Sequence, residues 1–283
     1  MKTLAFLIDE IDKSKELIRF AALFAKDINA KVHVLHVQYP HVYGTHGYMG
    51  AAVAPNPEQL QKIADEINEK VDEIIKELKA KVSGLPSIEF KSEIGAASAI
   101  LKEKVENNEY DMVMLQGNNE QGFWLQNSVI MDVVRNVPCP VWIISPDAEY
   151  QPFNKIIYAT DHNEEDISTL KKLIGLTKPF NPEILALHIS NDDEFEKKLK
   201  SKGFAEILGE KTGYNKVTVK MIADKDRKDA VESLVSEAEK AKANLIVVLK
   251  ENRNFFEHLF KSSFTAELVK KTQLPILVFQ AKN

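Results

Sequence analysis

Leu4-Ala5-Phe6-Leu7-Ile8-Asp9 and Ile156-Ile157-Tyr158-Ala159-Thr160-Asp161 decide the fold. Each is a short apolar run ended by an aspartate, and the two aspartates lie 152 residues apart. Twenty-seven residues beyond each aspartate a histidine closes a second apolar run: His36 after Val32-His33-Val34-Leu35, and His188 after Ile184-Leu185-Ala186-Leu187. A second echo lies near the end of each half. Asn127-Ser128 leads to Pro138-Cys139-Pro140-Val141-Trp142-Ile143-Ile144, and Ser262-Ser263 leads to Leu274-Pro275-Ile276-Leu277-Val278-Phe279. Here the offset between Pro140 and Pro275 is 135, so the second copy is 17 residues shorter. A repeat of this length is a whole domain, not a solenoid turn.

Outward from these runs the order is strand, helix, strand. Leu17, Ala21, Phe24 and Ile28 recur at helical spacing after the first strand. Lys31 to Val37 is the second strand. A Gly-, Pro-, Tyr- and His-rich loop spans 39–57, and Leu60 to Leu78 carries a long amphipathic helix. Ile88 to Ile94 alternates as a third strand with one face toward solvent, a helix follows from about Ala97 to Glu106, and Met112 to Gln116 and Val141 to Ile144 are strands four and five. The second half repeats this order, with strands near 155–159, 183–189, 216–222, 245–249 and 276–279. Continuous apolar strands alternating with helices predict an α/β fold of two doubly wound, Rossmann-like domains, each with a parallel sheet. The expected domains are 1–147 and 153–283. They are joined by the polar linker Pro146 to Asn154, too short to let them drift apart.

Composition bounds the function. The chain has 283 residues, 44% hydrophobic, with a net charge of −5 spread evenly. That suits ordinary cores and argues against a nucleic-acid surface. Cys139 is the sole cysteine, so no intramolecular disulfide forms, and its place in an apolar strand suits an inert thiol. No apolar stretch reaches membrane-spanning length and Asp9-Glu10 interrupts the first apolar run, so the expectation is a cytoplasmic protein without a membrane partner. His33 and His36, three apart on a strand, face opposite ways and cannot share a metal. His41 and His46 lie in the first loop without supporting ligands, and no metal site is expected. Phe255, Phe256, Leu259 and Phe260, with Phe123 and Trp124 in the matching loop of half one, are expected at the domain interface.

Open parallel sheets bind ligands beyond the carboxyl ends of their strands, where the strand order reverses. That edge holds Asp9 with the loop Gln116 to Asn127, and Asp161 with the loop Lys250 to Ser262. An aspartate there can accept from a ribose or amino group, and a loop entering a helix N-terminus can offer N–H groups to a phosphate. The same aspartates could equally cap the helices that follow.

Taken together, Ala159-Thr160-Asp161, the strand-two endings Val34-Leu35-His36-Val37 and Leu187-His188-Ile189, and Pro138-Cys139-Pro140-Val141 resemble the universal stress proteins in their tandem two-domain form. The resemblance implies five strands per domain in the order 3-2-1-4-5, with pairing through the last strand. It also implies, in nucleotide-binding members, Gly-x2-Gly-x9-Gly-Ser/Thr after strand four. This chain departs from that motif. Counting back from Asn127-Ser128 places Met114, Gly117 and Asn127 at the three glycines; anchoring on strand four places Gln116 and Asn119 at the first two. In half two the positions are Leu249, Asn252 and Ser262. The resemblance therefore implies a non-enzymatic stress-response binding or regulatory protein with degenerate nucleotide pockets, no cofactor and at most weak nucleotide binding. Its alternatives are an ATP-binding protein using one half and a ligand-free interaction scaffold. The expected partners are a small-molecule or nucleotide-like ligand, the other half of the chain, and in one variant a second copy. The candidate ligand-binding residues are Asp161, Thr160, Asn252, Ser262 and Ser263 in half two, and Asp9, Gly117, Asn127 and Ser128 in half one. Half two is favoured, because Thr160 could add a hydroxyl beside the carboxylate and Lys250 and Arg253 flank its loop.

Overall fold

The computed structural model describes residues 1–8, 11–38, 56–117, 129–190, 194–223, 230–250 and 263–280. Half one runs β1 (Lys2–Ile8), α1 (Ile11–Asp27), β2 (Ala30–Gln38), α2 (Pro57–Lys81), β3 (Ile88–Ile94), α3 (Ala97–Glu106), β4 (Met112–Gln116), α4 (Val129–Asn136) and β5 (Val141–Ile144). Half two runs β6 (Lys155–Ala159), α5 (Glu164–Thr177), a 3-10 turn (Lys178–Phe180), β7 (Glu183–Ser190), α6 (Glu194–Thr212), β8 (Val217–Ala223), α7 (Ala230–Ala241), β9 (Leu245–Lys250), α8 (Ser263–Lys271) and β10 (Ile276–Gln280).

All ten strands form one sheet, ordered β3-β2-β1-β4-β5-β10-β9-β6-β7-β8. Read from the outer edge inward, each half has the order 3-2-1-4-5. Every pairing within a half is parallel, and the two halves join through β5 and β10, which run antiparallel with Trp142 opposite Leu277. The sheet order is thus a mirror about this pair, the pseudo-twofold implied by the repeat. Both sheet faces are covered, which is why the strands read as continuous apolar runs. One core unites Leu4, Phe6 and Ile8 with side chains of α1, α2, α5 and α6; the other unites Ala5, Val113 and Ile143 with α3, α4, α7 and α8. Each core crosses from one half to the other.

The linker is anchored. Phe153 is 1% exposed and lies flat on Trp142, with ring centroids 5.4 Å apart and planes 16° apart. Phe24 of α1 and Phe180 pack against the same residue, and Tyr150 stands edge-on to Phe20 while its hydroxyl donates to Asp27. Burying a phenylalanine of this kind contributes about 1.5–3 kcal/mol. The prolines and polar residues of the linker thus bracket an aromatic clasp. No described helix is long and apolar enough to cross a membrane.

The seam is asymmetric. Leu4 pairs with Met112 and Ile156 with Leu245, so Gln116 stands where Leu249 does and Gly117 where Lys250 does. This register selects Gln116 as the counterpart of the first motif glycine in half one. The Lys250 ammonium reaches into the other half and donates to the carbonyls of Val134 (3.2 Å) and Arg135 (2.7 Å) at the end of α4, where Gln280 also donates to Val134. A cation at a helix C-terminus satisfies orphan carbonyls and opposes the negative dipole end. At the mirror position, Gly117 leaves a cavity of about 10 Å³, room for one water, lined also by Ser145, Val269 and Thr272. Ser145 hydrogen-bonds Gln273 beside it.

Candidate functional site

The described part of the predicted ligand edge in half two is the turn from β6 to α5. β6 lies between β7 and β9, a central position, and Asp161 follows its end. Asn163 caps α5: its side chain accepts from Asp166 N–H (2.9 Å), and Asp166 accepts back from Asn163 N–H (3.1 Å), a closed capping box. Asp166 does more than cap. It is 1% exposed, and its carboxylate also accepts from Tyr158 OH (2.5 Å), Thr160 Oγ1 (2.8 Å) and Asp161 N–H (3.0 Å). Buried charge persists only where hydrogen bonds replace water, and here four donors converge on one carboxylate.

This corrects the role expected for Thr160. Its hydroxyl donates to Asp166 and accepts from His162 N–H at 3.0 Å, and the residue is 2% exposed. The hydroxyl shapes the turn and does not face a ligand. Asp161 has a side chain 8% exposed, with Oδ1 3.8 Å from His188 Nδ1. His188 Nδ1 lies 2.7 Å from the Thr160 carbonyl. A carbonyl only accepts, so Nδ1 carries the proton. The repeated histidine thus ties the end of β7 to the end of β6.

His162 completes the cluster. Its φ is +60°, its ring stacks on His188 (centroids 4.6 Å apart) and on Phe204 of α6 (4.5 Å), and both ring nitrogens are buried with no hydrogen-bond partner among the described residues. Burial, then the neighbouring His188 and Lys200, lowers its pKa to about 4, so the ring is neutral at pH 7. Sequence reasoning missed His162, Asp166, Tyr158 and Phe204. Asn163-x-x-Asp166 carries a readable capping signal; nothing in the local pattern marks Phe204.

Half one carries different side chains at the positions that flank the matching turn. The residues 152 places before Tyr158, Thr160 and Asp166 are Phe6, Ile8 and Ser14, each 2% exposed or less. Gly117, expected at a ligand loop, packs on β5 instead: its N–H donates to Ile144 O (2.7 Å), and a Cβ there would meet that oxygen and Ile143 Cγ2 at 3.3 Å. Leu249 is 4% exposed and belongs to the core, so the first motif position of half two is a packing side chain. Lys250, expected to favour an anion, spends its ammonium on α4; burial, then the Arg135 charge, lowers its pKa. Ser263 opens α8. Asp9, Asn127, Ser128, Asn252 and Ser262 lie outside the described residues, as do Arg253 and the aromatic loop residues 255–260. Among the described residues, no group of three or more His, Cys, Asp and Glu is placed to hold a metal ion.

Two doubly wound halves, joined through their fifth strands and with Asp161 following the first strand of half two, define a tandem Rossmann-like α/β protein. The sequence profile of the universal stress protein family matches residues 1–145 and again 152–280, and the chain belongs to that family. It is 20% identical to the universal stress protein Slr1230 of Synechocystis sp. (strain ATCC 27184 / PCC 6803 / Kazusa), over 99% of this chain and all of that one. Among solved structures it is similar to a universal stress protein from Archaeoglobus fulgidus DSM 4304, with a TM-score of 0.71, 18% identity and coverage of 99% and 97% of the two chains. It is similar also to the cytoplasmic domain of a prokaryotic cation chloride cotransporter, with a TM-score of 0.55, 11% identity and coverage of 98% and 94%.

Proposed function

We propose that this protein is a non-enzymatic binding or regulatory member of its family, acting in a cytoplasmic stress response. On this reading its phosphate-binding loops are degenerate, and its second-half crevice at Asp161 takes a small ligand without a phosphate cradle. The observation that carries the reading is Leu249. A phosphate loop needs backbone exposed at its first glycine so that N–H groups approach the anion. Here that position carries a side chain buried in the core, and the next residue, Lys250, turns away to the far half. The first turn of α5 adds Glu164, Glu165 and Asp166, which oppose an anion at that helix start. A non-enzymatic role accords with Thr160 and Asp166: this hydroxyl–carboxylate pair is buried at 2% and 1% exposure and fully engaged in the turn.

The test is calorimetric titration with ATP and magnesium beside adenosine. The expected result is no submicromolar ATP binding and no affinity gained from the triphosphate. ATP binding far tighter than adenosine would overturn the degenerate-loop reading. A ligand-free scaffold is the second reading, favoured by the His162 ring filling the crevice between His188 and Phe204; it predicts no heat with either compound.

A further inference from the structure

His162 is held in place at a cost. A residue with a Cβ disfavours φ of +60°, and two buried ring nitrogens lack hydrogen-bond partners among the described residues. Buried polar atoms of native proteins are ordinarily paired, so an orphaned pair calls for a reason. The turn around it is fixed. Asp161 N–H and Asn163 N–H both donate to Asp166, and His162 N–H donates to Thr160 Oγ1. A backbone pinned before, at and after the residue cannot swing as a lid. The freedom left is rotation of the imidazole.

We propose that the His162 imidazole is a built-in occupant of a planar slot between His188 and Phe204, and that the ligand of this half is a planar nitrogen heterocycle that takes the slot when the ring rotates out. The inference rests on the Asp161 crevice being the ligand site. The slot has the dimensions of one ring: the centroids of its walls lie 4.6 and 4.5 Å from the imidazole between them, with planes inclined by 30° and 29°. His188 and Phe204 are each 6% exposed, so the walls are dry. Neither wall is free to close on the gap. His188 is tied to the Thr160 carbonyl, and Phe204 sits in the core shared by α5 and α6. The Asp161 carboxylate stands 3.8 Å from His188 Nδ1 and is an acceptor for an N–H of the entering ring, which selects a nitrogen heterocycle over a purely carbocyclic one. The residue 152 places before His162 is Glu10, so the device belongs to half two. A self-occupied site lowers apparent affinity by the fraction of molecules that are open, and removal of the plug restores it.

The test uses the full chain and three forms: wild type, His162→Gly and His162→Phe. Glycine removes the ring and suits the left-handed backbone, so this variant is expected to fold; phenylalanine keeps the slot filled and removes the orphaned nitrogens. The first probe is free imidazole, followed by NMR and thermal shift. Saturable imidazole binding by His162→Gly, absent in wild type and in His162→Phe, is the expected result, with adenosine bound at least tenfold more tightly by His162→Gly than by wild type. A folded His162→Gly that takes up no imidazole overturns the slot. Equal adenosine affinity in wild type and His162→Gly overturns the plug while leaving the ligand reading intact. Imidazole uptake by His162→Gly with no binding of adenosine or ATP by any form supports the slot and removes the ligand reading instead.

Discussion

The most demanding prediction concerns Asp166 and compares one substitution with three. In Asp166→Ser, four donors lose the carboxylate that holds them: Tyr158 OH, Thr160 Oγ1, Asp161 N–H and Asn163 N–H. A buried donor left unsatisfied costs about 1–3 kcal/mol. Tyr158 and Thr160 are 0% and 2% exposed and must bear that cost, whereas the two N–H groups are partly buried and recover part of theirs from water or from the serine oxygen. The expected loss is about 4 kcal/mol, allowing for the desolvation relieved when the charge is removed. Tyr158→Phe with Thr160→Ile and Asp166→Ser installs the trio that half one already carries as Phe6, Ile8 and Ser14. The two buried hydroxyls vanish with their acceptor, and replacing both partners of a hydrogen bond is far milder than removing one. The triple variant should lose only about 1–2 kcal/mol and so be more stable than the single one. Guanidinium unfolding followed by circular dichroism measures both. A triple variant less stable than Asp166→Ser would refute the reasoning, since it would mean that the network adds up residue by residue instead of acting as a unit.

Lys250→Met should destabilise by about 1–2 kcal/mol by uncapping the Val134 and Arg135 carbonyls, with part of the loss offset by relieved desolvation; a melting temperature unchanged from wild type would contradict the capping role. The folded pKa of His162, about 4, lies below the unfolded value, so the folded state binds fewer protons in between. Stability contributed by the neutral ring is therefore complete above pH 6.5 and lost as the pH falls toward 4, on the order of 2 kcal/mol after allowance for partial exposure. Subtracting the pH profile of His162→Phe isolates it, and parallel profiles would refute it. Burial pushes the Cys139 thiol up to about 12, so native protein should resist thiol-reactive dye at pH 8 and label only on unfolding.

The fold was legible because parallel strands buried on both faces read as uninterrupted apolar runs, and the duplication printed each run twice. α3 was read at Ala97 to Glu106 and is found there. α6 carried no such signal. Leu199 and Ile207 are 65% and 46% exposed while Phe204 and Leu208 are buried, and Gly203 and Gly209 lie within the helix, so no apolar stripe marks it. That same helix supplies Phe204, one wall of the crevice. The cluster at the turn after the first strand of half two was legible as an address, through Thr160, Asp161 and His188, but not as chemistry. Thr160 looked like a hydroxyl offered to a ligand because sequence shows no depth; 2% exposure and a bonded Asp166 give it another task. Lys250 looked like a charge at a pocket because sequence shows no direction, and its ammonium points across the seam.

These departures share one physical logic. After duplication, a residue at the seam no longer has to suit a copy of itself, as it must in a symmetric pair. Lys250 facing a second Lys250-bearing half would meet the last turn of α8, which carries two cations, Lys270 and Lys271; the last turn of α4 carries one, Arg135, and offers the carbonyls of Val134 and Arg135. Its counterpart is Gly117, where a Cβ would meet Ile143 Cγ2 and the Ile144 oxygen at 3.3 Å, so the mirror position carries no cation. Unlike halves are thus favoured over like ones by a contact that exists in one direction only. The turns diverge in the same way. Half one keeps an apolar Phe6–Ile8 pair with Ser14, and half two builds the Tyr158–Thr160–Asp166 network that pins the backbone of His162. Fusion releases the two halves from a common constraint, and the polar machinery gathers in the half whose crevice it can shape.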